Sequence, residues 1–204
     1  MCIVRKTAVI SLSLAAFIFM LPFEFVQVVA KRLAGKNKSG ISLIAEVYAE
    51  VCYTLDECLE ILLPDAQDIK EEVKVLTAEQ KKAIQDKAKV EFDPELEKDF
   101  HFYVSSQGIA ALETVRGKWG PVRFIASFDN QGKIKDVVIL ELTEKRGKPI
   151  KERKFLDQYS GKSAADPIKL NKDIKGIAGA TISSRQMTDG VRKIANVYEL
   201  FYKK

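Results

Sequence analysis

Histidine is almost missing from this sequence, and cysteine is scarce: one His and three Cys stand among 204 residues. A Ser-His-Asp triad would need His101 as its base. His101 sits in Phe100-His101-Phe102-Tyr103-Val104, an alternating run that reads as a strand with His101 on the polar face. No Cys-x-x-Cys-His occurs, which excludes c-type haem attachment. No His/Cys cluster has zinc spacing. No Gly-x-Gly-x-x-Gly occurs, so nothing marks a nicotinamide site of a stand-alone reductase. The net charge is +5, yet no basic run is interleaved with aromatics. Lys and Arg are scattered among Asp and Glu, and no nucleic-acid partner is expected. In such a chain, difficult chemistry falls to a cofactor.

Long apolar runs are also missing, except at the N-terminus. Arg5 and Lys6 precede an apolar stretch from Ala8 to about Phe23, and Val28 and Ala30 fit a small-residue cleavage site. Residues 1–30 read as a signal peptide or a membrane anchor. The run is short for a span and Glu24 interrupts it. Both readings place the remainder outside the cytoplasm, periplasmic or on the extracytoplasmic face of the membrane. Cys2 has no lipobox context. Residues 31–40 are polar and glycine-containing and read as a linker.

Residues 41–99 read as a helical leader. Ile44, Val47, Tyr48 and Val51 recur at helix spacing. Thr54-x-x-Glu57 is a capping box that opens a second helix, with Leu55, Cys58, Leu59 and Leu62 on one face and an end before Pro64. Thr77-x-x-Gln80 is another, opening a helix to about Ala88. Asp93-Pro94 starts a short turn. Cys52 and Cys58 flank a helix break. A disulfide in an oxidising compartment and two core-filling residues are both open readings.

Residues 100–204 change character. Phe100–Ser105, Ile109–Val115, Val122–Phe128 and Ile134–Leu142 are rich in β-branched and aromatic residues. Asp129-Asn130-Gln131-Gly132 and Gly117-Lys118-Trp119-Gly120-Pro121 are turns. The expected fold is α+β: N-terminal helices, an antiparallel β-meander, a cofactor loop and a C-terminal helix. Residues 151–160 read as a helix carrying Phe155, Leu156 and Tyr159.

Chemistry concentrates in residues 176–193. Gly176, Ala178, Gly179 and Ala180 let a backbone approach a ligand closely. Ser183-x-x-Gln186 is expected to cap a helix from about Ser184. Met187, Val191, Ile194, Tyr198 and Phe201 give it one apolar face. Gly190 costs about 1 kcal/mol there against Ala and points to close packing on the sheet. A small-residue loop running into a helix N-terminus favours an anion through its open N–H groups and dipole. Arg185 adds a charge for the same anion. A tight turn into an ordinary terminal helix is the plain alternative.

Gly179-Ala180-Thr181-Ile182-Ser183-Ser184 resembles the (Ser/Thr)-Gly-Ala-Thr-x-(Ser/Thr)-Ser signature of FMN-binding domain proteins. These include the G subunit of Rnf-type electron-transport complexes and the C subunit of the sodium-translocating NADH:quinone oxidoreductase. Leu76-Thr77-x-Glu79-Gln80, Gly120-Pro121-Val122-x-Phe124 and Asp129-x-x-Gly132-x-Ile134 are similar to further family segments. Glu144 and Gly147 stand where an acidic residue and a glycine are common. Lys175 and Ala178 differ from the family's Asp and Ser/Thr.

The resemblance implies FMN as cofactor, joined by a phosphoester bond to Thr181. It implies a flavin transferase that makes the bond and a membrane redox partner. It implies electron transfer between a membrane-associated reductase and an external acceptor. The cofactor-binding residues it points to are Thr181, Gly179, Ala180, Ser183, Ser184 and Arg185. Trp119 is a candidate stacker on the flavin ring or a core tryptophan. Glu144 is a ring neighbour or a solvated turn residue. The alternative function is a non-catalytic exported binding or sensor module that holds FMN non-covalently, or no flavin.

Overall fold

The computed structural model describes residues 50–143 and 148–203. The expected export segment, the linker, Cys2, the helical periodicity over Ile44, Val47 and Tyr48, and Glu144 and Gly147 all lie outside the described residues.

Among the described residues, six strands form one antiparallel sheet. They are β1 (Glu50–Val51), β2 (Lys70–Lys74), β3 (Phe100–Ser105), β4 (Gly108–Arg116), β5 (Pro121–Phe128) and β6 (Ile134–Leu142), in the order β1-β6-β5-β4-β3-β2. The helices are α1 (Leu55–Leu62), α2 (Ala78–Ala88), α3 (Arg153–Leu156) and α4 (Thr181–Tyr202). Single 3₁₀ turns flank α3 at Lys148–Lys151 and Asp157–Tyr159. The fold is α+β, and β3 to β6 are the expected meander.

Strand periodicity of two divides the core. Phe100, Phe102, Ala111, Val115, Phe124, Ala126, Phe128, Val137 and Ile139 face one side, where α4 and α2 pack. Tyr103, Ala110, Leu112, Ile125, Val138 and Leu140 face the other, where α1 packs. Cys52 belongs to the first cluster and Cys58 to the second, with no disulfide between them. His101 is half-buried on β3, its Nδ1 2.6 Å from Glu71 Oε1 on β2.

Both capping boxes form. Thr54 N donates to Glu57 Oε2 at 2.7 Å and Glu57 N to Thr54 Oγ1 at 3.3 Å. Thr77 N donates to Gln80 Oε1 at 2.9 Å and Gln80 N to Thr77 Oγ1 at 3.2 Å. The stretch 41–99 is not only helical, however. Val51 is a strand residue paired with Glu141, and Lys70–Lys74 is an edge strand paired with β3. Lys-Glu-Glu-Val-Lys carries little β propensity of its own. Its neighbour supplies the ladder, and the charges blunt an exposed edge. Among the described residues no helix is long and apolar enough to cross a membrane.

The direction of α4 positions everything that follows. Gly190 lies on Val115 and Phe124, and Tyr198 stacks on Phe128 and reaches Gly132. The helix therefore runs from the β4–β5 turn toward the β5–β6 turn. At a rise of about 1.5 Å per residue, Thr181 begins roughly 13 Å before Gly190. The start of α4 thus overhangs the sheet end that carries Gly117–Gly120.

Candidate functional site

The loop before α4 is built from small residues because its backbone must bend sharply. Ala180 N donates to Ile177 O at 3.0 Å, closing a turn. Gly179 completes it with φ +78°, in the left-handed region that L side chains avoid. A Cβ there would meet nothing within 4 Å, so the space beside Gly179 is open.

The helix starts earlier than the sequence suggests. Thr181 is its first residue and Ala180 its N-cap, with no side-chain capping bond. Ser183 is not the cap. It is buried at 3% exposure within the first turn, and Ser184 is fully buried. Ser184 Oγ faces inward instead and accepts Ile177 N at 3.3 Å. The first intrahelical bond is Ser184 N to Ala180 O at 2.9 Å. The N–H groups of Thr181, Ile182 and Ser183 are therefore the open donors of this helix end. A helix without a side-chain cap, preceded by an open glycine, offers those donors to an external anion.

Thr181 and Arg185 are exposed and four residues apart, so they share one face of α4. Ala180 is buried and anchors the junction. Trp119 is 44% exposed, so it is not a core residue, and Ile182 is 49% exposed. These two large apolar side chains are presented at the same end of the sheet. Ile182 lay unmarked in the sequence, hidden as the variable position of the motif. Lys118 Nζ stands 5.5 Å from the Trp119 ring centroid. The structure thus gathers Gly179, Ala180, Thr181 and Arg185 at one helix end. It turns the Ser183 and Ser184 side chains away into the protein and brings Trp119 to the neighbouring turn.

Two cavities adjoin the segment. One of about 630 Å³ is lined by Pro149, Phe155, Gln158, Lys175, Gly176 and Ile177. The other, of about 810 Å³, runs along α4 past Arg185, Asp189 and Lys193.

Asp173, just upstream, has a structural task. Its carboxylate accepts Ile168 N at 3.1 Å and Lys169 N at 2.7 Å and pairs with Lys162 at 3.0 Å. Burial pushes its pKa up, but the Lys169 amide, Lys162 and the Ile168 amide outweigh it and hold the carboxyl below the usual range.

An α+β domain whose terminal helix opens uncapped beside a glycine loop has a helix end whose geometry favours an anion. Residues 117–196 match the family described as the FMN-binding domain. The resemblance read from the loop motif therefore holds, and the cofactor is FMN. No curated protein matches the chain. Among solved structures, the chain is similar to the C component of the Na⁺-translocating NADH-quinone reductase from Parabacteroides distasonis. The likeness is 17% identity over 66% of this chain and 78% of that one, with a TM-score of 0.46.

Proposed function

We propose that this chain is an exported electron-transfer flavoprotein that carries FMN as a phosphoester on Thr181. The observation that carries the reading is the exposed Thr181 at the head of an uncapped helix, beside Gly179 at φ +78°.

The residues present fit an FMN phosphate. The open N–H groups of Thr181, Ile182 and Ser183 would hold its charge, with the helix dipole behind them. Arg185, one turn along, adds a cation on the same face. Gly179 leaves the approach clear, and Ala180 keeps the junction seated in the core. The exposed faces of Trp119 and Ile182 offer an apolar resting place for the flavin ring. FMN supplies the reversible uptake of electrons. The protein residues bind and orient it, and no acid–base or nucleophilic step by a side chain is needed for a carrier.

Thr181 would be modified by a flavin transferase, with FAD as donor. The Thr181 oxygen attacks the phosphorus of the FMN moiety, AMP leaves, and the hydroxyl proton passes to solvent. Electrons would pass between a membrane-associated reductase and an external acceptor. The apolar stretch preceding residue 31, with its basic flank, supports export.

The test is the intact mass of the denatured protein after co-production with a flavin transferase. A gain of FMN less one water, absent in Thr181→Val, supports the phosphoester. A yellow protein that loses all colour on denaturation would replace it with a non-covalent FMN module, and a colourless one would overturn the carrier reading.

A further inference from the structure

We propose that Gln158 is a positioning residue of the cofactor loop, its side-chain amide holding the Lys175 backbone so that Gly179, Ala180 and Thr181 are presented in one conformation. The inference rests on the reading that FMN is joined to Thr181.

Gln158 uses both ends of its amide on one peptide neighbour. Lys175 N donates to Gln158 Oε1 at 2.7 Å. Gln158 Nε2 donates to Lys175 O at 3.2 Å and to Phe155 O at 3.3 Å. The side chain thus reproduces the pair of bonds that a strand neighbour would supply. Lys175 itself is exposed, so the loop gains this anchor without burying a side chain there.

The clamp has a fixed base. Gln158 lies between Leu156 and Tyr159 in the turn after α3, and both are buried. Tyr159 Oη is 2.9 Å from Thr188 Oγ1 on α4. Thr188 Oγ1 donates in turn to Ser184 O at 2.7 Å. Ser184 Oγ accepts Ile177 N at 3.3 Å, two residues beyond the clamped Lys175. The bonds close a circuit: the Gln158 turn to Lys175, the loop to Ile177, Ile177 to Ser184, Ser184 through Thr188 to Tyr159. Three separate segments fix one another, and the loop leaves this circuit only at Ala178. Residues 178–180 then make the turn that ends on Thr181.

Gln158, half-buried, is the corner of the circuit with a two-sided grip. Loss of two or three neutral hydrogen bonds of ordinary strength corresponds to roughly a tenfold or greater rise in loop opening. A transferase that must capture Thr181 in one geometry would be slowed by a comparable factor.

The experiment compares the full chain with Gln158→Leu and Gln158→Glu, each produced with and without a flavin transferase. The Glu variant keeps the acceptor for Lys175 N and loses the donor to Lys175 O and Phe155 O. Hydrogen exchange of the protein made without transferase reads the loop, and intact mass reads the initial rate of FMN attachment. The expected result for Gln158→Leu is exchange at 175–181 at least about tenfold faster, unchanged exchange in β4 and β5, and slowed attachment. Gln158→Glu should fall between. Unchanged loop exchange overturns the proposal. So does faster exchange that spreads equally through the sheet, or attachment at the wild-type rate from a loosened loop. If the wild-type chain gains no FMN, the Thr181 reading fails, and loop exchange alone then supports or overturns the clamp. If Gln158→Leu does not fold, Gln158→Glu is read in the same way.

Discussion

Gly190 of α4 lies directly on Val115 of β4: a Cβ at position 190 would stand 2.4 Å from Val115 Cγ1 and 3.2 Å from the Phe124 ring. This contact sets how deeply the helix sits on the sheet, and so where its N-terminus emerges. Helix propensity alone would favour Gly190→Ala by about 1 kcal/mol. Overpacking against two buried side chains costs roughly 1–3 kcal/mol and should win. Chemical denaturation is expected to show Gly190→Ala less stable than wild type. Val115→Ala added to it should cost less than Val115→Ala alone, because the collision is relieved. Additive effects would show that the contact is not close.

Gly179→Ala separates backbone strain from packing. No atom stands within 4 Å of the added Cβ, yet φ is +78°. The expected loss is about 1 kcal/mol of stability from conformation alone. Gly161 is the matched control, at φ +77° and with the same open space. Both Ala variants should lose similar stability, read from denaturation midpoints. Only Gly179→Ala should also slow FMN attachment, read by mass. Equal attachment in the two would remove the Gly179 turn from the site.

Glu113 should make stability fall as pH rises above the ordinary Glu range. It is buried on β4 beside Glu97, which pairs with the buried Lys193 of α4. Burial raises its pKa well above the usual range; Lys193 opposes the shift and Glu97 adds to it. A carboxyl whose pKa is raised on folding binds its proton more tightly in the native state. Its contribution is complete below the ordinary Glu value of about 4.3 and is lost as pH rises through the folded pKa. Between those two values stability should fall by up to about 1.4 kcal/mol per pH unit. Glu113→Gln, which mimics the protonated form, should flatten this fall. Denaturation midpoints across mildly acidic to alkaline pH would show it, and an unchanged slope in the variant would assign the fall to other groups.

Arg192 holds two segments to α4. Nε donates to Ala88 O at 2.7 Å, Nη1 to Ile168 O at 2.6 Å and Nη2 to Lys89 O at 3.2 Å, with Asp189 as its ion-pair partner. Arg192→Met leaves those carbonyls without their donor. The expected cost is about 2–4 kcal/mol, since each buried orphan carries a desolvation penalty. Arg192→Lys should recover only part, because a single ammonium cannot reach three divergent acceptors. A loss below about 1 kcal/mol for Met would mean that water replaces the guanidinium.

Much of the fold was legible in local chemistry. The two capping boxes, at Thr54 and Thr77, predicted helix starts because both partners lie three residues apart. The four strands from Phe100 to Leu142 were legible because alternation and β-branching mark a two-faced sheet. The apolar face of α4 through Met187, Val191, Ile194 and Tyr198 was equally plain. The Gly179-Ala180-Thr181 motif and its FMN assignment came from a contiguous stretch.

Other features had no local signal. Lys70–Lys74 became a strand only because β3 lacked a neighbour, and Val51 only because β6 did. The start of α4 moved to Thr181 because Ser184 Oγ is engaged by Ile177 N and Ser183 is turned inward, leaving neither free to cap. Trp119 could be read as core or surface until the β4–β5 turn was seen to project it outward.

Local sequence alone specified most of the secondary structure elements, the placement of His101 on a strand and the small-residue loop that precedes α4. These depend on residues within a few positions of one another, where propensity and capping act. How that loop is held depends on contacts between distant segments. Gln158 lies seventeen residues from Lys175, and Gly190 meets Val115 from a different element. Such contacts arise from the closing of chain segments on each other, and no periodicity along the chain encodes them.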